Sequence, residues 1–401
     1  MNTIYRALHS RNYRLYFAGQ LISVCGTWMQ QVALSWLTYR LTGSTFMLGL
    51  VTFVGQIPTL FLAPIGGLLS DRYSRRTMLI QTQFCSLVHA ATLALLVFTV
   101  ELQSWHLVAL ALILGLINSI DAPIRQSFVA ELVDRREDIP NAIALNSFTI
   151  NASRFVGPAI GGVVVAVLGE GVCFALNAVS YLAVISALLA MRLPRTQAAA
   201  MRLRAAVFEG FQYVLDHRQI RLLILMVATV SFFGTPYATL LPYFAKEVYA
   251  GGAQAFGYMS AAAGGGACFG TLFLATRKNA PSIDGHIGKA AYALACALLA
   301  FACSNSLIIA IPALAVLGFC SINVIASSNA LIQSMVADEI RGRVMSIFAM
   351  AFMGISPLGS LAVGYASQHI GARFALIGCA VAILITVLGV STSASRLLAR
   401  A

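Results

Sequence analysis

The chain has 401 residues, of which 59% are hydrophobic and only 10% charged, with a mean hydropathy of +0.83. Soluble domains carry about a quarter charged residues, so this composition excludes a soluble globular enzyme or binding module and points to an integral membrane protein. The net charge of +12 would suggest a nucleic-acid partner in a soluble protein, but the placement of the basic residues along this chain excludes one.

A bilayer core takes about 20 apolar residues per helix. Twelve such stretches follow in chain order: 14–40, 46–70, 77–100, 105–130, 141–168, 171–191, 221–246, 255–276, 287–303, 307–335, 343–368 and 373–395. The first is too long for a cleaved signal and lacks a small-residue cleavage site, so it reads as the first spanning helix. Among the Lys and Arg residues, only Arg40, Lys246 and Arg373 fall in breaks on one side, and Arg125 and Arg154 lie inside spans. All the others fall on the opposite side, which places both termini in the cytoplasm and the chain in the inner (plasma) membrane. The eight cysteines have no paired spacing and read as small core residues, so no disulfide, metal site or cofactor is implied.

One long polar break, RLPRTQAAAMRLRAAVFEGFQYVLDHRQ, reads as a cytoplasmic linker over 192–220 with one amphipathic helix. It separates an N-terminal bundle, 1–191, from a C-terminal bundle, 221–401. Short matches recur across it: SVCGT at 23–27 with SFFGT at 231–235, QSFVAELV at 126–133 with QSMVADEI at 333–340, and a weaker VGP at 156–158 with ISP at 355–357. The pattern predicts an all-α fold of two six-helix halves in parallel repeat.

GLLSDRYSRR at 67–76, between the second and third spans, supplies Gly67, Asp71, Arg72, Arg75 and Arg76, with Ser74 where a second glycine is usual. With two six-helix bundles around a basic central loop, it resembles the major facilitator superfamily. GPAIGG at 157–162, with Gly157, Pro158, Gly161 and Gly162, is similar to the tail of the motif that marks exporters there, although Ala144 and Ser153 replace glycines upstream. DAPIRQSFVAELV, NAIALNS and RGRV resemble the branch of enterobactin exporters and macrolide efflux proteins. The resemblance implies a monomeric secondary transporter that exports an amphipathic small molecule, siderophore or drug-like, by alternating access with protons as coupling ion. It also implies a gating latch at 67–76. The rival readings are a lipid or lysolipid transporter of the same fold and a membrane sensor or assembly protein without turnover. No acid pair, serine or cysteine arrangement points to enzyme chemistry, and membrane lipids are the surroundings.

Charged residues inside a span cost about 2.5–3.5 kcal/mol each at a helix centre, so they need partners or a watery cavity. Asn118, Asp121 and Arg125 are spaced along one face of the fourth span, and Ser147, Asn151, Arg154 and Pro158 along one face of the fifth. Counted from the break near 137, Asp121 and Arg154 sit at equal depth, which predicts that they face each other across the hairpin or share a cavity. Asp121 pairing with Arg125 of its own helix, or with Arg75, remains open. Asp121 is the one carboxylate well inside a span, so proton coupling would run through it, with Arg154 holding it ionised until substrate intervenes. His89 reads as a packed or lipid-interface histidine. The spans that line the cavity in the superfamily also contribute Trp28, Gln31, Tyr237 and Asn329. With one fixed cation, such groups suit a bulky amphipathic molecule, anionic or catecholic.

Overall fold

A computed structural model describes residues 3–192, 206–277 and 283–398. Its regular elements are all helices. The first half holds α1 (Arg11–Thr42), α2 (Thr45–Arg72), α3 (Arg75–Thr99), α4 (Ser104–Phe128), α5 (Ile139–Leu168) and α6 (Glu170–Ala190). The amphipathic helix expected in the linker is α7 (Ala206–Asp216), while 193–205 lie outside the described residues. There follow α8 (Arg218–Thr229), α9 (Tyr237–Tyr243), α10 (Gly252–Thr276), α11 (Gly288–Cys303), α12 (Leu307–Met335), α13 (Asp338–Ala349), α14 (Ile355–Ile370) and α15 (Ala372–Leu398). π-helical turns at Val230–Gly234 and Met350–Gly354 interrupt the seventh and eleventh spans, so α8 with α9, and α13 with α14, each make one crossing.

Eleven helical stretches are long and apolar enough to cross a bilayer among the described residues. The expected count was twelve. The stretch that falls short is α1, whose 32 residues are ample in length but carry Gln20, Ser23, Thr27, Gln30 and Gln31. The polarity has a structural use, because α6 answers it: Asn177 Nδ2 donates to Gln30 Oε1 at 2.7 Å, and Thr27 and Tyr181 hydroxyls lie 3.4 Å apart. Bonded side chains remove the cost that bare amides would impose inside a membrane bundle.

The residues gather into two compact units. The first takes residues up to Thr42, Val54 through α6, and Gly252–Ala261; the second takes Gly43–Phe53, α7 through Gly251, and Ala262 onwards. In the first, α1 packs on α5 and α6, and α3 on α4 and α6. In the second, α11 packs on α12 and α15, and α7 lies on α13. Traces of duplication survive in the bonding. Thr27 Oγ1 donates to the Ser23 carbonyl at 2.9 Å, and its repeat mate Thr235 donates to Ser231 at 2.7 Å. Gly169 after α5 and Gly371 after α14 both turn the chain at positive φ, 86° and 87°, where a side chain would be strained. Of the cysteines expected in the core, Cys85, Cys296 and Cys303 are exposed, consistent with small residues on membrane-facing helix sides.

Candidate functional site

Asp121 is 2% exposed, near the end of α4 that leads into the charged 129–138 segment. Its carboxylate pairs with the Arg125 guanidinium one turn on, and accepts from Thr82 Oγ1 at 2.7 Å and Gln83 Nε2 at 2.8 Å, both on α3. Arg125 also donates to Gln20 Oε1 of α1 at 3.3 Å. The Tyr16 hydroxyl and Arg125 Nε are buried and have no partner there. A carboxylate that accepts several hydrogen bonds beside a guanidinium is compensated for its removal from water.

The predicted pairing of Asp121 with Arg154 is not found. Equal depth assumed a helical rise up to residue 137, but α4 ends at Phe128 and short 3-10 turns fill Val129–Glu131 and Arg136–Asp138. Asp121 is therefore seven residues, about 10 Å, from its helix end, and Arg154 is fifteen, about 22 Å, from the start of α5. Nor do the three polar residues of α4 share one environment, since Asn118 is exposed where Asp121 is buried.

Arg154 lies midway along α5 and is exposed, with its guanidinium carbon 5.5 Å from the centre of the Trp28 ring. Trp28 is midway along α1, and Gln31, one turn further, is exposed. Arg154 has no acid partner among the described residues. The motif tail explains how α5 comes so near: a Cβ on Gly157 would stand 2.6 Å from the Trp28 Cβ, and one on Gly161 3.0 Å from the Met29 Cα. Gly162 is in equally close contact with the Gly257 backbone of α10, where the Pro158 carbonyl also lies. Small residues let membrane helices approach in this way. Asn151 turns inward on its own helix and donates to the Ser147 carbonyl at 2.9 Å.

The model of the transmembrane secretion effector family matches residues 3–398. The chain belongs to that family, within the major facilitator superfamily. The chain is 26% identical over 370 residues to the staphyloferrin A transporter of Staphylococcus aureus, covering 89% of the chain and 90% of that transporter. It is 24% identical over 385 residues to the multidrug efflux pump Tap of Mycobacterium tuberculosis, covering 91% of the chain and 89% of the pump. A bacterial homologue of the human lysosomal transporter Spinster, in an inward-facing and unoccupied crystal structure, superposes with a TM-score of 0.74 at 15% identity, covering 99% of this chain and 98% of that one. A transporter of this family is multi-pass and moves a small molecule; the family is not one of enzymes.

In the loop after α2, Arg75 pairs with Glu131 just beyond α4, and Arg76 donates to the Leu188 and Leu189 carbonyls at 2.7 and 2.9 Å, capping α6. Arg72 is exposed. The side chain of Asp71 and the surroundings of Gly67 lie outside the described residues. On the opposite end of the bundle Arg40 of α1 pairs with Glu170 of α6 at 2.9 Å.

Tyr237 is buried, its ring edge-on to Phe301, and Asn329 accepts from Gln333 one turn on at 2.5 Å. At the repeat positions of Asp121 and Arg125 stand Ser328 and Ile332, both fully buried. His89 is packed, its Nε2 3.0 Å from the Leu110 carbonyl. Thr82, Gln83, Gln20 and Glu131 are the residues that sequence reasoning missed. Thr82 and Gln83 stand adjacent on α3 and carried no local signal.

Proposed function

We propose that this secretion effector exports an amphipathic small molecule bearing an anionic group, siderophore or drug-like, by alternating access and in exchange for protons. One observation carries the reading. Of the two arginines inside spans, Arg125 is neutralised by Asp121, whereas Arg154 stands exposed at mid-span over an aromatic face with no acid partner among the described residues. A guanidinium at bilayer depth costs about 2.5–3.5 kcal/mol, and the anion of a transported molecule would offset that cost. Substrate sites in such transporters lie near the midplane, and the Trp28 ring offers an apolar surface beside the cation.

α1 links the two clusters. Gln20 touches Arg125, and Trp28, eight residues and about 12 Å along the same helix, lies under Arg154. A proton on Asp121 removes the charge that holds Arg125, leaving Gln20 as its remaining partner, and any resulting shift of α1 is felt at Trp28. With the basic breaks in the cytoplasm, Arg75 with Glu131 closes the cytoplasmic end of the bundle. The staphyloferrin A transporter and the Tap pump support both a siderophore and a drug as the class of cargo.

Inverted membrane vesicles with an acid interior test the proposal. Uptake of staphyloferrin A that requires the protein and stops when nigericin collapses the pH gradient is the expected result. Uptake indifferent to the gradient would remove proton exchange, and accumulation only of cationic compounds would remove the anion site.

A further inference from the structure

An apolar crevice in the first unit shares only Thr82 with the contacts above. It lies between the end of α2, α3 and α4 and is lined by Tyr73 and Ser74 at the turn, by Thr77 and Cys85 of α3, and by Ile117 and Ile120 of α4. Its volume is about 750 Å3, within the range of roughly 300–1,000 Å3 typical of ligand sites. Phe84, Leu95 and Phe98 stand exposed further along α3, so this side of the bundle presents an apolar surface of the kind that faces lipid.

The turn has the opposite chemistry. Arg72, the last residue of α2, is exposed, whereas Arg75 is taken by Glu131 and Arg76 by the end of α6. The 25-residue helix α3 begins beside it, and the Ser74 side chain makes no capping bond to it. First-turn amides of a helix lack intrahelical partners, and with the helix dipole they favour a phosphate. An exposed arginine with no acid partner among the described residues and a helix start beside an apolar cleft match a phosphate above an acyl chain.

We propose that the crevice holds an anionic phospholipid, with an acyl chain between α3 and α4 and its phosphate between the Arg72 guanidinium and the start of α3. The proposal rests on the membrane topology given above, which puts the turn at the cytoplasmic leaflet, where anionic headgroups attract basic residues; it does not depend on what is exported. The lipid has a route to the transport machinery. Thr82 lines the crevice, and its hydroxyl is the one that donates to Asp121 at 2.7 Å. A chain seated there holds Thr82 against the carboxylate.

The test is thermal unfolding of the full chain in dodecyl maltoside, with dioleoyl phosphatidylglycerol, dioleoyl phosphatidylcholine or inorganic phosphate added. Phosphatidylglycerol is expected to raise the midpoint by roughly 3 °C or more, and the other two by much less. Arg72→Ala and the crevice-filling Ile117→Trp should each remove most of that rise. Thr77→Trp, at an exposed position, serves the same purpose should Ile117→Trp fail to fold. Equal stabilisation by phosphatidylcholine or by phosphate alone would overturn the anionic lipid. An undiminished rise in both Arg72→Ala and a folded crevice-filling variant would overturn the site. Because the readout is unfolding and not transport, failure here leaves the export reading standing.

Discussion

The guanidinium of Arg154 lies over the ring of Trp28, 5.5 Å from its centre, where α5 and α1 touch across Gly157. The pair joins a fixed cation to a flat apolar surface at the middle of both helices. Arg154→Lys keeps the charge but loses the planar stacking and the fork of donors. Loss of about 1 kcal/mol predicts a KM roughly fivefold higher for the lysine variant, and Arg154→Ala should lose transport at normal membrane expression. Initial rates in inverted vesicles measure both.

Asp121 separates charge from hydrogen bonding. Asp121→Asn keeps an oxygen for Thr82 and Gln83 but cannot exchange a proton, so it should fold, bind substrate and fail to use a pH gradient. Asp121→Ala removes both the charge and the acceptor oxygen and leaves the partly buried Arg125 uncompensated, at a cost of up to about 3 kcal/mol. Thermal unfolding should place Ala well below Asn, and Asp121→Ala with Arg125→Met should recover most of the difference.

Gly157→Val puts its Cβ 2.6 Å from the Trp28 Cβ and 2.8 Å from the Cys25 carbonyl oxygen. Overpacking of this kind costs about 1–3 kcal/mol and moves α1 off α5. Transport should fall with the protein still in the membrane, and Trp28 emission should change in a background with Trp36 and Trp105 replaced by Phe.

Arg75 and Glu131 form a pair that a charge exchange can preserve. Arg75→Glu and Glu131→Arg alone should each depress transport, while the two together should restore a large part of it. Export rates of the three variants check this, and no rescue in the double variant would assign the loss to other partners of Arg75.

The helices were legible because hydropathy and basic breaks report what the bilayer demands of a segment. α1 was legible as a helix, yet the reason for its polarity was not, since Asn177 and Tyr181 lie some 150 residues away. The charges within spans were visible at once, and the i, i+4 pairing of Asp121 with Arg125 was among the readings open. Its rival failed on loop geometry: a depth count cannot know that α4 stops at Phe128 and gives way to short 3-10 turns. Thr82 and Gln83 were hidden for a different reason. Neutral polar residues on a helix mean little until the buried charge they serve is placed beside them.

The most direct measurement is a binding titration of the single-tryptophan protein retaining Trp28, using the compound that the vesicles accumulate and its neutral ester. A saturable change in Trp28 emission is expected for the acid, at least tenfold weaker for the ester, and absent for the acid in Arg154→Ala. Equal affinity for acid and ester, or unchanged affinity in Arg154→Ala, would contradict an unpaired mid-membrane arginine as the group that selects the cargo.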